Sequence, residues 1–389
     1  MSAYDATVVF VTSFLAIPLC YFSNYAFNAV QSKNELLVFV IGAVAILLVI
    51  SITWSLLRKN NTGKTNPLFT VMSIFTLASV VDLISALELD GIIEGFMSFY
   101  LKHGEPYLRT AHGTIINYWD GIIHYGLYLS MLSAMAWNQG YHEVGLYWVG
   151  SITQSMIVLV LGALTGKYGI KWSFLLNIPY CIVPVWFGVK LLREPVPVLK
   201  ESSEFTLKSI WKRPIDVLLI LYFIFASGLA VMRGMACLDS SMEFTRQYKL
   251  QYEPYLGDPG KFGTVQMLTY LFYFLPYYFL SMYGLTNPGC SWMLDWSIIH
   301  AGAAAQAQVS YIGSSLHYRT PYLLRVPQDM HVQIVFWSIN LSLHVLIVPQ
   351  LVMYRVVQYP QFFLEKSKTS STAGDNSWNS LNSKPVKQH

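Results

Sequence analysis

The sequence predicts an all-α, polytopic membrane protein of about ten transmembrane helices, and three observations lead there. Charged residues make up 12% of the 389 and apolar ones 54%, whereas ordinary soluble domains carry about 25% charge. The apolar residues are gathered into runs of about 18 or more, the signature of bilayer spans, rather than spread as amphipathic stripes. Finally, Glu105-Pro106-Tyr107-Leu108 returns as Glu253-Pro254-Tyr255-Leu256, each copy in a short polar break between long apolar runs. A helical unit carried twice explains that placement.

Taken in order, the spans fall near 6–30, 35–57, 67–87, 113–137, 144–166, 172–192, 214–236, 264–286, 293–316 and 332–355. Each is long enough to cross about 30 Å of hydrocarbon at roughly 1.5 Å per residue. Helices are required, because a lipid-facing backbone must satisfy its own hydrogen bonds and no alternating pattern suggests a barrel. No Lys or Arg precedes the first run, which argues for a retained helix rather than a cleaved signal peptide. Pro67 and Pro214 suit first helical turns, and Trp292 suits an interface.

The first two spans (1–60) precede the duplicated unit. Its first copy covers 64–195 and its second 212–357, joined by a polar linker, 196–211, with Trp211 as an interfacial anchor. Residues 365–389, rich in Ser, Asn and Lys, read as a disordered cytosolic tail. An even span count puts both termini on one side, and Lys plus Arg number 14 there against 11 opposite, which places both termini in the cytosol. The sequon Asn60-Asn61-Thr62 then faces the cytosol and stays unmodified, while Asn340-Leu341-Ser342 lies inside span ten. Four spans separate the two tetrapeptides, so the copies are parallel rather than inverted. An ungapped register of 148 positions (105 against 253) pairs Trp148 with Trp296 and Tyr125 with Tyr273.

Several function classes drop out. A net charge of +4 calls for no nucleic-acid partner, and nine scattered His give no metal-ligand spacing. Cys20 and Cys181 lie in spans, and Cys237 and Cys290 are separated by one span, so no disulfide framework is expected. The chain has no Gly-rich phosphate loop, no His-Glu-x-x-His and no strand-turn-helix nucleophile. No cofactor is implied.

Intramembrane polar residues carry what remains. An Asp at a span centre costs about 2.5–3.5 kcal/mol on insertion scales. Asp82 lies deep in span three; Asp120 lies in span four with His124 four residues on, sharing a helix face. Asn117, Tyr118, Trp119, Tyr125 and Tyr128 crowd the same region. One reading is a lipid pocket in which Asp82, Asn117, Trp119, Asp120, His124 and Tyr128 bind a polar head, with Asp82, Asp120 and His124 as catalytic candidates. The other is a closed interhelical network, Asp82 to His124 for example. In the ungapped register the second copy lacks these groups, having Ala230, Leu268 and Phe272. It offers Gln306 and Gln308 in a small-residue helix, Ala301 to Ala305, suited to close packing. Asn340 and His344 suit an interhelical contact, and Arg233, near a span end, suits snorkelling.

Longer matches identify a family. Ala78-Ser79-Val80-Val81-Asp82-Leu83, Gly104-Glu105-Pro106-Tyr107-Leu108-Arg109, Tyr118-Trp119-Asp120-Gly121 and Gly145-Leu146-Tyr147-Trp148-Val149-Gly150-Ser151 match, as do Pro288-Gly289-Cys290-Ser291-Trp292 and Arg325-Val326-Pro327. With these the chain resembles the transmembrane 6 superfamily over about 65–360. Its proteins carry two EXPERA domains, the four-helix unit shared with emopamil-binding protein, a sterol isomerase. The resemblance implies residence in the endoplasmic reticulum and ER–Golgi intermediate compartment membranes. It also implies a regulatory role in triglyceride loading into lipoproteins and in lipid-droplet content, with membrane lipid or sterol and lipoprotein-assembly proteins as partners. An isomerase using Asp82, Asp120 and His124 is the alternative, and a lipid transporter or scramblase the third. Ser240 and Thr245 stand where the resemblance would put a luminal Cys pair.

Overall fold

The computed structural model describes residues 3–30, 35–60, 67–194, 209–342 and 346–364. The sequon at Asn60-Asn61-Thr62, most of the 196–211 linker, His344 and the 365–389 tail fall wholly or partly outside the described residues. Among the described residues there are helices and turns but no strand. The protein is an all-α polytopic membrane protein.

Its helical passages fall where the apolar runs place them. Helices α1 (Ala3–Ser13) and α2 (Ala16–Val30) form the first passage, and α3 (Glu35–Asn60) and α4 (Pro67–Leu89) the next two. Helix α5 (Ala111–Trp119) runs through a π-helical turn, Asp120–His124, into α6 (Tyr125–Ala136). Then come α7 (His142–Thr165), a 3-10 turn Trp172–Asn177 leading into α8 (Ile178–Leu192), and α9 (Pro214–Cys237). A short helix, α10 (Glu243–Gln251), precedes α11 (Phe262–Thr269), which passes through a second π turn, Tyr270–Phe274, into α12 (Leu275–Thr286). Helices α13 (Trp292–Leu316), α14 (Met330–Trp337), α15 (Ile347–Gln358) and the four-residue α16 (Gln361–Leu364) complete the chain.

Among the described residues five passages are long and apolar enough on their own to cross a membrane: Ala3–Asn28, Leu68–Leu89, His142–Thr165, Trp172–Leu192 and Pro214–Cys237. Helix α13 differs because it faces protein rather than lipid, so its Gln306, Gln308 and Ser310 are buried without cost to a lipid-facing surface. Local chemistry sets the ends. Thr110 Oγ1 accepts from the Gly113 N–H at 3.0 Å to start α5, and Asp329 Oδ1 accepts from His331 and Val332 N–H to start α14. Pro67 and Pro214 open α4 and α9, where a missing N–H is harmless.

Two apolar cores result. One gathers residues of α1 to α8 around Phe75, Tyr128, Trp148 and Phe187 and takes in Phe262, Val265, Ile298 and Ile299 from α11 and α13; the other gathers α9 to α16 around Phe223, Phe274, Tyr278 and Tyr311. They meet where α7 crosses α13. A Cβ on Gly150 would lie 1.8 Å from the Ile299 carbonyl oxygen, and one on Gly302 would lie 2.0 Å from that of Tyr147. The small-residue stripe of α13 is thus a packing device, bringing backbone against backbone.

That crossing sets the register between halves. Gly150 and Gly302 play the same part 152 positions apart (150 against 302), and the π turns start at 120 and 270. Asp120 therefore stands opposite Tyr270, and His124 opposite Phe274. The ungapped pairings of Trp148 with Trp296, Tyr125 with Tyr273, Asp120 with Leu268 and His124 with Phe272 are corrected accordingly. Two extra residues after Leu256, in Gly257-Asp258-Pro259-Gly260-Lys261, account for the step from 148 to 150, and the step to 152 arises between the second π turn and the α7–α13 crossing.

Candidate functional site

A cavity of about 230 Å³ opens in the first half between α2, α3, α4 and the segment leading to α5. Most of its wall is apolar. Its polar atoms come mainly from Asp82 and Ser85 on α4, Tyr100 and Glu105 ahead of α5, and Asn177 and Tyr180 at the start of α8. Helices α2 and α3 close it from outside: Asn24 donates to the Gly95 carbonyl at 2.8 Å and accepts from the Phe99 N–H at 2.9 Å. Phe27 stacks on Phe99 with ring centroids 4.8 Å apart. The 96–98 segment is folded onto α4 by Glu88, which accepts from the Phe96 and Met97 N–H groups and the Ser98 hydroxyl.

Asp82 faces this cavity, and among the described residues no side chain donates to it or pairs with it. Glu105 is placed by the Glu-Pro-Tyr-Leu turn: Pro106 starts a 3-10 turn, Pro106–Arg109, whose hydrogen bond from Leu108 N–H to the Glu105 carbonyl fixes it at 3.0 Å. Asn177 donates to its carboxylate at 2.5 Å. In this loop between passages, burial pushes the Glu105 carboxyl up to about 7, against the opposing donors Tyr107, Tyr100 and Asn177. Its partners among the described residues are all neutral. The result is an apolar chamber with two acids at one end, suited to a rigid apolar body bearing a hydrogen-bond donor.

The other predicted site residues lie outside this wall. Asp120 Oδ1 is 2.6 Å from His124 Nδ1, and His124 Nε2 is 2.7 Å from Ser151 Oγ. Trp119 Nε1 lies 3.2 Å from His124 Nε2 and 3.0 Å from Ser151 Oγ. An indole N–H only donates, so Trp119 ties both His124 Nε2 and Ser151 Oγ to the π turn. This network joins the π turn to α7. The predicted Asp82–His124 link is not formed; His124 turns to Asp120 and Ser151 instead. Tyr128 accepts from Trp148 Nε1 at 2.9 Å in the aromatic core, and Asn117 is buried nearby. Gly121 lets the π turn touch the Leu83 backbone, bringing Asp120 beside Asp82. Sequence reasoning missed Glu105, Tyr100, Asn177 and Ser151. Only Glu105 carried a signal, its place in the repeated tetrapeptide.

The second half builds the same corner differently. Glu253, the counterpart of Glu105, is gripped by Arg233 through Nε at 2.9 Å and through Nη2. Arg233 also donates to Asn340 Oδ1 at 2.8 Å, Gln308 donates to that same oxygen at 2.6 Å, and Tyr270 donates to Gln308 at 2.9 Å. Arg233 is 1% exposed, so it does not snorkel, because Glu253 meets its charge inside the protein. In the 148-position register that pairs Glu105 with Glu253, Arg233 corresponds to Ser85, which lines the first cavity. A guanidinium fills in one half the volume that a small hydroxyl leaves free in the other.

Comparison with known proteins adds the family context. A family profile described as "Transmembrane 6 superfamily member 2-like, transmembrane domain" matches residues 15–202. The chain is 42% identical over 366 residues to mouse transmembrane 6 superfamily member 2, covering 92% of this chain and 94% of the relative. It is 41% identical over 349 residues to the human protein, covering 87% and 90%, and 42% identical over 358 residues to the rat protein, covering 90% and 92%. No solved structure matches the chain.

Proposed function

Because the chain belongs to the transmembrane 6 superfamily, we propose that it is a multi-pass membrane regulator of lipid handling that binds a sterol or other lipid. The single observation that carries this reading is the cavity: an apolar chamber beside α4 with the unpartnered Asp82 at its wall. An unpaired acid inside a membrane protein is expensive unless a ligand, water or proton satisfies it. The regulatory role, promoting triglyceride loading into lipoproteins and limiting lipid-droplet content in the endoplasmic reticulum and the ER–Golgi intermediate compartment, comes from the family resemblance. So does the division into two EXPERA units behind a pair of N-terminal helices.

The non-catalytic reading is preferred to sterol isomerisation on geometric grounds. An isomerase needs an acid and a base at one substrate. Here Asp82 borders the cavity, while the partners the sequence offers it, Asp120 and His124, do not and form their own network with Ser151 and Trp119; the cavity's other acid, Glu105, is held by Asn177.

The test uses the full-length protein. A photoreactive sterol should label the parent on α4 or the 100–108 segment, and Asp82→Leu should abolish competition by unlabelled sterol. Equal labelling in Asp82→Leu, or labelling only on the lipid-facing surfaces of α9 and α12, would sink the cavity assignment. In cells lacking the protein, restored expression should raise export of neutral lipid, and no change on restoration would overturn the regulatory role.

A further inference from the structure

At the other end of the second half, two arginines share one carboxylate. Asp216, in the first turn of α9, is fully buried and accepts from Arg213 Nη1 at 2.8 Å. It also accepts from Arg355 Nε at 2.8 Å and Nη2 at 2.9 Å. Two guanidinium charges against one carboxylate leave the cluster one positive charge in excess. Among the described residues Asp216 and Arg355 are the charged groups that face Arg213, and no second acid there redresses the balance. Burial, aided by Arg355, holds the Arg213 guanidinium below its usual range despite the pull of Asp216.

The donors are unevenly used. Arg355 spends two on Asp216 and aims Nη1 at the Tyr359 carbonyl, whereas among the described residues Arg213 makes one hydrogen bond, through Nη1. A guanidinium has five N–H donors, so Arg213 keeps four unspent. Neither side chain is free to wander. Arg213 lies 4.1 Å over the Phe362 ring, and Arg355 lies 5.7 Å from that of Phe363 and 5.4 Å from that of Tyr359. Phe362 is itself held by its carbonyl, which accepts from the Gly289 N–H at 3.1 Å. Their side chains stay 11% and 14% exposed, at the end of a membrane helix. Trp211 and Tyr359 beside them are 83% and 59% exposed, as befits residues at headgroup depth, and Lys212 adds an exposed cation.

We propose that Arg213 and Arg355, held apart by Asp216 and backed by Phe362 and Phe363, form a binding site for the phosphate of an anionic phospholipid headgroup. A forked guanidinium matches phosphate oxygens, and the excess charge and unspent donors supply what such a ligand needs. Trp211 and Tyr359 would flank the glycerol region.

The test reconstitutes the full chain in nanodiscs of phosphatidylcholine with or without phosphatidylinositol. Retained lipid is read by native mass spectrometry and stability by thermal unfolding. Phosphatidylinositol should remain bound and raise the melting temperature of the parent. Arg213→Gln should retain about tenfold less, as loss of one charge-assisted contact implies. Arg355→Lys keeps the charge but loses the fork; it should also retain less, and it serves if Arg213→Gln fails to fold. Inorganic phosphate should leave the parent unshifted, because it lacks the acyl chains. Equal retention by the parent and both variants would overturn the proposal. A shift by inorganic phosphate as large as that by the lipid would replace it with a free-phosphate site.

Discussion

Removing Arg233 should unsettle the second half far more than any change at Glu105 unsettles the first. Arg233 and Glu253 are each 1% exposed and bonded through two guanidinium nitrogens. Arg233→Met keeps most of the volume but strands the Glu253 carboxylate, leaving it Asn340 Nδ2 at 3.3 Å as a hydrogen-bond donor among the described residues. Breaking a buried pair from one side costs about 3–5 kcal/mol, while replacing both partners by neutral groups is often close to neutral. The double variant Arg233→Met/Glu253→Gln should therefore lie within about 1 kcal/mol of the parent, so that adding Glu253→Gln recovers about 2–4 kcal/mol of the Arg233→Met loss. Glu105 faces only neutral partners, so Glu105→Gln relieves burial of a carboxylate and should cost under about 1 kcal/mol. The assay is reversible denaturant unfolding of the purified protein in detergent, read by tryptophan fluorescence, for the four members of the cycle and Glu105→Gln. The reasoning fails if Arg233→Met alone costs less than about 1 kcal/mol, or if the double variant is no more stable than the single.

Gly150→Ala and Gly302→Ala should each abolish a monodisperse peak in size-exclusion chromatography, because the new methyl meets backbone, whereas Gly126→Ala, with open space around it, should elute as the parent does. Ser151→Ala should cost about 1–3 kcal/mol by removing the hydroxyl partner of His124 Nε2, while Ser130→Ala, whose hydroxyl bonds only its own helix at Gly126, should be near neutral; equal losses on denaturant unfolding would contradict the network. His317, outside the passages, contacts Asp90 at 3.2 Å through Nε2 and accepts the Arg319 N–H at 3.2 Å through Nδ1. Burial holds its imidazole below the usual range despite Asp90, with Arg319 and Arg325 adding to the effect. A lowered His value leaves stability intact above the unfolded value of about 6.5 and erodes it as pH falls below that. The parent should thus lose more thermal stability than His317→Gln between neutral pH and mild acid, and parallel curves would refute this.

The helical passages were legible because bilayer thickness sets a length that a hydropathy run reveals directly. Asp82 was legible for a related reason: its cost in a span draws attention whatever surrounds it. Glu105 was not, because its residue types place it in a polar break. Its burial comes from a Pro-started turn and the neighbouring passages, neither of which hydropathy records. The Asp120–His124 spacing did foretell a contact, but the π turn between them adds a residue to the hydrogen-bonded loop and swings His124 toward α7. Ser151 gave no sign, since a lone Ser in a span is ordinarily packing. Arg233 was misread as snorkelling because distance from a span end is visible in sequence and the partner that neutralises it is not. The first two-residue drift in register had the same origin: an ungapped comparison cannot see that the loop after Leu256 lengthens.

The crossing of α7 and α13 also limits what the molecule can do mechanically. Where backbone rests on backbone through Gly150 and Gly302, no flexible side chains lie between the helices to act as bearings. A carrier that alternates its access by rocking one half against the other needs a seam that can slide or hinge. Here a small rotation would drive a carbonyl into a Cα, so both halves turn as one body. On the proposed lipid-binding reading, the lipid would then enter through the cavity's outer wall, the α2–α3 side, sideways from the bilayer rather than across it.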